Sequence, residues 1–212
     1  MPPIDERQLV DDITRGDRAA LGQVLNRYQH RLYNVVWRMV GHREDAAEIT
    51  QETMLKIVEH VDDFRGQSSI LTWMTRIAMN QSISHLRKRR TRQTVSLDAD
   101  GPDNAVMPSS ALRHRLPDER EPGPPESVER SEMTHLLKIA ISRLDDDFRG
   151  VLVLRDIDQM DYRQICEVLD IPVGTVKSRL FRARLALRHE MLKLCPPPSS
   201  ASRPVGESTS RG

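Results

Sequence analysis

The chain has 212 residues, of which 30% are charged and 38% hydrophobic, with a formal net charge of +1. These proportions favour small helical cores under a heavily solvated surface over one large core. Two cysteines without CxxC spacing and seven scattered histidines argue against a disulfide framework and leave a zinc site without its ligands. No signal peptide or bilayer-length apolar run is read, so a cytoplasmic chain is expected.

A first helical module is predicted over residues 5–91. In DRAALGQVLNRYQHRLYNVVWRMVG, Asp17 is placed to cap a helix that Gly41 ends. Its apolar residues, from Leu21 and Val24 to Val36 and Met39, recur at intervals of three and four. A second helix is predicted from about residue 43 to 61. Its apolar face carries Ala46, Thr50, Met54, Ile57, Val58 and Val61, and its opposite face Asp45, Glu48, Gln51, Glu52 and Glu59, with Leu55 among them. Two readings fit that acidic face: a solvated surface, or a docking surface for a basic partner helix.

The turn-rich DDFRGQSS breaks the pattern, and a third helix follows from about residue 70 to 90. Ile70, Met74, Ile77 and Ala78 share one side of it. Trp73, Arg76, Asn80, Ile83 and Arg87 form a separate stripe. An aromatic ring, an amide and arginines together suit single-stranded nucleic acid: rings stack on bases, the amide bonds base edges, and guanidinium groups follow the backbone. The competing reading makes Trp73 core and Asn80 a satisfied polar residue.

Residues 92–126 are dominated by Pro, Gly, Ser and Asp without a persistent period, and are expected to be a flexible linker. A second helical module is predicted over 127–194, followed by a low-complexity tail, 195–212, expected to be disordered. Asp145, Asp146 and Asp147 stand before a helix, where they are expected to cap it and favour its dipole. YRQICEVLDIPVGTVKSRLFRARLALRHEML has the layout of a helix-turn-helix, with DIPVG as the turn. Ile165, Cys166 and Leu169 face its core, Cys166 as a small buried hydrophobe. At 100° per residue, Val173, Val176, Leu180, Ala183 and Leu187 form the buried face of the last helix. Phe181 then points away from the core, toward Lys177, Ser178 and Arg182, with Arg179 and Arg184 on the flanks. A base-reading helix has this character: cations and a small hydroxyl reach base edges, a ring touches a thymine methyl, and flanking arginines hold phosphates. No strand-like alternation occurs, so the expected fold is all-α, two small helical domains on a tether.

EDAAEITQETMLKI followed by FRGQSSILTWMTRIAMNQSISHLRKRR resembles region two of the extracytoplasmic-function (ECF) sigma factors of the sigma-70 family. LDDDFRGVLVLRDIDQMDYRQICEVLDIPVGTVKSRLFRARLALR resembles their region four. The resemblance covers both modules in the right order. It implies a non-enzymatic promoter-specificity subunit of bacterial RNA polymerase, without catalytic residues, metal or cofactor. By that resemblance Asp45, Glu48, Gln51, Glu52 and Leu55 dock on core polymerase. Phe64, Arg65, Trp73, Arg76, Asn80 and Arg87 melt and capture the minus-ten element. Lys177, Ser178, Arg179, Phe181 and Arg182 bind the minus-thirty-five element. The implied partners are core RNA polymerase and promoter DNA, with an anti-sigma factor as a further partner class. The alternative is a helix-turn-helix transcriptional regulator not associated with core polymerase; it leaves the acidic face and the Trp73–Asn80 stripe without a role. A nucleic-acid-processing enzyme needs a clustered acid–base or metal set, and the usual spacings do not appear.

Overall fold

Residues 6–99 and 125–195 are described by the structure, a computed structural model, and the regular elements among them are helical throughout. The first module holds α1 (Glu6–Thr14), α2 (Arg18–Val40), α3 (Arg43–His60), a 3-10 turn (Val61–Asp63) and α4 (Ile70–Ala99). The second holds α5 (Pro125–Ser142), α6 (Asp146–Leu152), a π-helical turn (Val153–Ile157), α7 (Tyr162–Leu169) and α8 (Val173–Leu194). α4 thus runs eight residues beyond the predicted end of the first module, and α5 begins two residues before the predicted start of the second. The rest of the predicted linker, 100–124, and the predicted tail from 196 onward lie outside the described residues. Among the described residues no helix is long and apolar enough to cross a membrane.

The helix ends follow local chemistry. Asp17 accepts hydrogen bonds from the backbone N–H groups of Ala19 and Ala20 at the start of α2, satisfying donors that have no partner inside the helix. Gly41 ends the helix at φ 76°, a left-handed conformation that costs glycine nothing. Ser69 Oγ accepts from the Thr72 N–H (3.1 Å) and so opens α4. Asp161 and Gln164 form a reciprocal capping box at α7. The aspartates ahead of α6 behave differently from expectation: Asp145 sits at the N-cap position but makes no side-chain cap bond. Its neighbours reach out instead, Asp146 to Arg90 (3.1 Å) and Asp147 to Arg179 (2.8 Å). An arginine within bonding range outcompetes an exposed N–H for the carboxylate.

The two modules pack on each other. α4 is the element that joins them, because it is buried on two sides. Ile70, Met74 and Ala78 face α2 and α3, as the periodicity predicts. Thr72, Thr75, Met79 and Ser82, on the opposite side, are buried as well, and α4 also packs against α6 and α7. One apolar core runs from Leu32, Val36 and Met39 of α2 through Met74 and Met79 to Leu154, Ile165 and Val176. Gly150 lies against this core: a Cβ there would meet Met79 Cε at 3.3 Å and Met39 Cε at 3.9 Å. Ion pairs rim the contact, Arg31–Asp158 (2.8 Å), Arg90–Asp146 (3.1 Å) and Arg76–Asp170 (3.9 Å), and the Lys138 ammonium lies 5.0 Å from the Trp37 ring centre.

Arg149 is buried at the centre of this junction. Its guanidinium donates to the carbonyls of Ile141, Ser142 and Leu144 at the end of α5, and to the Met39 carbonyl at the end of α2. Burial lowers its pKa, with Asp146 acting in the other direction.

Candidate nucleic-acid interface

Between the two buried sides of α4 a strip stays open. Arg76, Asn80 and Arg87 are exposed along it, and Trp73 and Ile83 are half-buried. The stripe predicted from the sequence is therefore one continuous surface. Phe64 is buried at 5% exposure, with its ring centre 5.4 Å from that of Trp73. It supports the tryptophan from beneath, while Arg65 beside it is exposed. A half-buried indole on an aromatic support keeps a fixed orientation and presents part of its surface to a stacking partner. Arg76 is drawn toward Asp170, at the end of α7.

The second surface is built by the helix-turn-helix. Asp170 ends α7 in the left-handed region (φ 54°), and Pro172 holds extended backbone at the N-cap of α8. Val176, Leu180 and Ala183 are buried as expected, and Leu187 is half-buried. Val173 departs from the expectation and is 49% exposed, because the first turn of α8 projects past the core that α7 provides. Cys166 is half-buried rather than enclosed. On the outer side Lys177, Ser178 and Arg182 are exposed and Phe181 is 66% exposed. Two flanking arginines are already engaged. Arg179 pairs with Asp147, and Arg184 forms a two-point bridge to Asp156 (3.0 and 2.6 Å), whose hydrogen bond raises its pKa. These bridges brace α8 against α6 and the π-helical turn, leaving Lys177 and Arg182 among the open cations of the outer face.

The third surface lies on α3. Glu48, Gln51 and Glu52 are exposed around Leu55, which is 64% exposed. Asp45 is half-buried and faces His85 (3.3 Å) and Arg89 (3.9 Å) of α4. Gln81 of α4 spans Lys56 (3.0 Å) and Glu52 (3.5 Å). The acidic face is thus anchored by His85, Gln81 and Arg89, none of which the sequence reading connected with it. Their partners lie a helix away, and no spacing within α4 indicates them.

The fold and these surfaces define an all-helical protein of the helix-turn-helix class with a second helical module. Residues 24–92 match the family model of Sigma-70 region 2, and residues 136–187 that of Sigma-70, region 4. The RNA polymerase sigma-H factor of Pseudomonas aeruginosa is 34% identical over 186 residues, 86% of this chain and 91% of that protein. The ECF RNA polymerase sigma-E factor of Escherichia coli is 32% identical over 192 residues, covering 90% and 96%. The solved sigma factor RpoE, in complex with the anti-sigma factor NepR from Bartonella quintana, shares the fold with a TM-score of 0.59 at 23% identity, over 82% of this chain and 98% of that one. The chain belongs to the ECF RNA polymerase sigma factors.

Proposed function

We propose that the chain is a non-enzymatic, cytoplasmic promoter-specificity subunit that docks on core RNA polymerase, reads the minus-thirty-five and minus-ten elements, and promotes melting. Asp45, Glu48, Gln51, Glu52 and Leu55 carry the docking. Arg65, Trp73, Arg76, Asn80 and Arg87, with Phe64 beneath, capture the minus-ten element. Lys177, Ser178, Phe181 and Arg182 read the minus-thirty-five element, and Arg179 lends charge at its edge. An anti-sigma factor is the partner class expected to control it, as NepR binds the related RpoE. The observation that carries the reading is the coexistence of two open surfaces of different chemistry in one chain: the Trp73–Asn80–Arg87 stripe and the Lys177–Phe181–Arg182 face. A regulator that reads duplex alone has no use for the first. Promoter-specific initiation by this chain mixed with core polymerase, absent from either component, is the test; a mixture that initiates no better than core alone rejects the reading.

The packed arrangement constrains how the two surfaces work. The elements lie about 25 base pairs apart, on the order of 85 Å at 3.4 Å per pair. Yet Arg76 of the first surface is 3.9 Å from Asp170, whose turn leads into α8. Both elements cannot be engaged until the modules part along α4 and α7. The 25 residues 100–124 reach on the order of 85 Å when fully extended, enough to keep the parted modules connected.

Two predictions follow from the residue roles. Asn80→Ala is expected to impair open-complex formation more than initial duplex binding, because its partner is a base exposed only after melting. Permanganate reactivity of the promoter bubble measures this, and normal opening would return Asn80 to a structural role. Lys177→Ala and Arg182→Ala are each expected to relax preference at particular base pairs, by about 1–3 kcal/mol where the contact is to a base edge. Arg179→Ala is expected to weaken binding evenly across sequences. Selection from randomised minus-thirty-five sites separates the outcomes, and identical effects from all three would mean that α8 senses phosphate alone.

A further inference from the structure

Between the outer face of α2 and the π-helical turn lies a cleft of about 570 Å³ that none of the roles above uses. One wall is a stripe of α2 bearing Arg27, Arg31, Asn34 and Arg38 at intervals of four, three and four, with His30 beside them; the other comes from the second module and ends in Asp158 and Gln159. We propose that this cleft binds a phosphorylated small molecule of nucleotide size, and that its occupancy holds the two modules together.

The charge balance is the first support. Asp158 is the one carboxylate among the lining residues, and it is already committed. Its two oxygens accept from Arg31 Nε (2.8 Å) and Nη2 (3.1 Å), and its backbone carbonyl from Nη2 as well. That hydrogen bonding raises the pKa of Arg31. Among the described residues Arg27 and Arg38 pair with no carboxylate. Arg27 lies over the Tyr28 ring (5.7 Å), and Arg38 donates to the Asn34 carbonyl (3.3 Å). The arginines that rim the module contact, Arg31, Arg76 and Arg90, each face an aspartate from the other module. Uncompensated guanidinium groups in a concave site raise the local concentration of anions far more than the same groups on a convex surface.

The shape and the backbone are the second support. Arg27 and Arg38 stand eleven residues apart, about 16 Å along the helix, so one isolated phosphate cannot serve both ends, whereas an extended polyphosphate can. The volume falls within the range of small-molecule sites, about 300–1,000 Å³. Half-buried Ile157 supplies an apolar edge for a ring, with Val35 and Val153 packed behind it. At the rim Gln159 holds φ 59°, a left-handed conformation costly for a side chain of its kind, two residues after the end of the π-helical turn. Both features recur where backbone is shaped for a ligand. Because the walls belong to different modules, a ligand that touches both binds only the packed form and stabilises it by mass action. Opposition to promoter binding then rests on the function proposed above; the site itself does not.

The test is calorimetric titration of the full chain with GTP, ATP, inorganic triphosphate and guanosine, with hydrogen exchange followed in parallel. Saturable one-to-one binding of a nucleoside triphosphate is expected, absent for guanosine. Arg27→Gln/Arg38→Gln should weaken it by at least about tenfold, the loss of two charge-assisted contacts. Amides of residues 153–160 should exchange more slowly with nucleotide in the parent and not in the double variant. No saturable binding of either nucleotide, or equal affinity in the double variant, overturns the site. Binding of inorganic triphosphate as tight as GTP overturns the nucleotide-sized ligand. Binding without slowed exchange overturns the bridging of the modules. A single-stranded oligonucleotide that binds through Arg27 and Arg38 where nucleotides do not would make the cleft a nucleic-acid surface and overturn the proposal.

Discussion

Arg149→Ala is expected to lower the thermal midpoint by on the order of 10 °C. The guanidinium satisfies four backbone carbonyls at two helix ends, Ile141 and Ser142 in the last turn of α5, Leu144 just beyond it, and Met39 near the end of α2. The last carbonyls of a helix have no partner within it and carry the negative end of its dipole. Truncation removes the donors and leaves the acceptors buried, at a cost of about 3–5 kcal/mol. For a chain of this size each kcal/mol moves the midpoint by about 2–4 °C. Arg149→Met is expected to recover little. Buried ion pairs can often be exchanged for apolar residues when both partners change, but backbone carbonyls cannot be exchanged. Arg149→Lys keeps the charge and loses the planar fork that reaches several carbonyls at once, so it should fall between. Urea and thermal unfolding of the three variants measure the series. A midpoint for Arg149→Ala within a degree of the parent would show that water replaces the guanidinium at no cost.

Leu55→Arg is expected to abolish co-purification with core polymerase while the fold is retained. Leu55 is 64% exposed among Glu48, Gln51 and Glu52, so its replacement opens no cavity and the unfolding midpoint should hardly move. An apolar anchor ringed by carboxylates is the arrangement of an interface hot spot, and a cation there confronts the basic partner that the ring attracts. The expected loss is at least about 2 kcal/mol, roughly 30-fold in affinity. Fluorescence anisotropy of the labelled chain against core polymerase, beside far-ultraviolet circular dichroism, separates binding from folding. Wild-type affinity in the variant removes α3 from the docking surface.

Much of both candidate surfaces was legible because it depends on local geometry. Phe181 faces outward for a reason internal to α8: 100° per residue sets it opposite Val176, Leu180 and Ala183. The open stripe of α4 follows from the same arithmetic. Phe64 shows the limit of this reasoning. It precedes α4 in an irregular segment where no period applies, and its burial beneath Trp73 depends on how that segment folds back.

By itself the sequence determined the helices, both ends of α2, most of the inner faces of α3 and α8, and the two module types. Each depends on contacts a few residues apart, which spacing encodes directly. Only the tertiary structure decided that the modules pack together. The second buried side of α4, with Thr75 and Met79, is covered by elements some seventy residues further along the chain, and a helix pattern does not say how many of its sides find a partner. Arg149 left even less trace, because its partners are backbone carbonyls, which every residue possesses. The cleft beside α2 follows from the same packing: Arg27, His30 and Arg38 lie on one helix, and only the π-helical turn supplies a second wall and makes their charge concave.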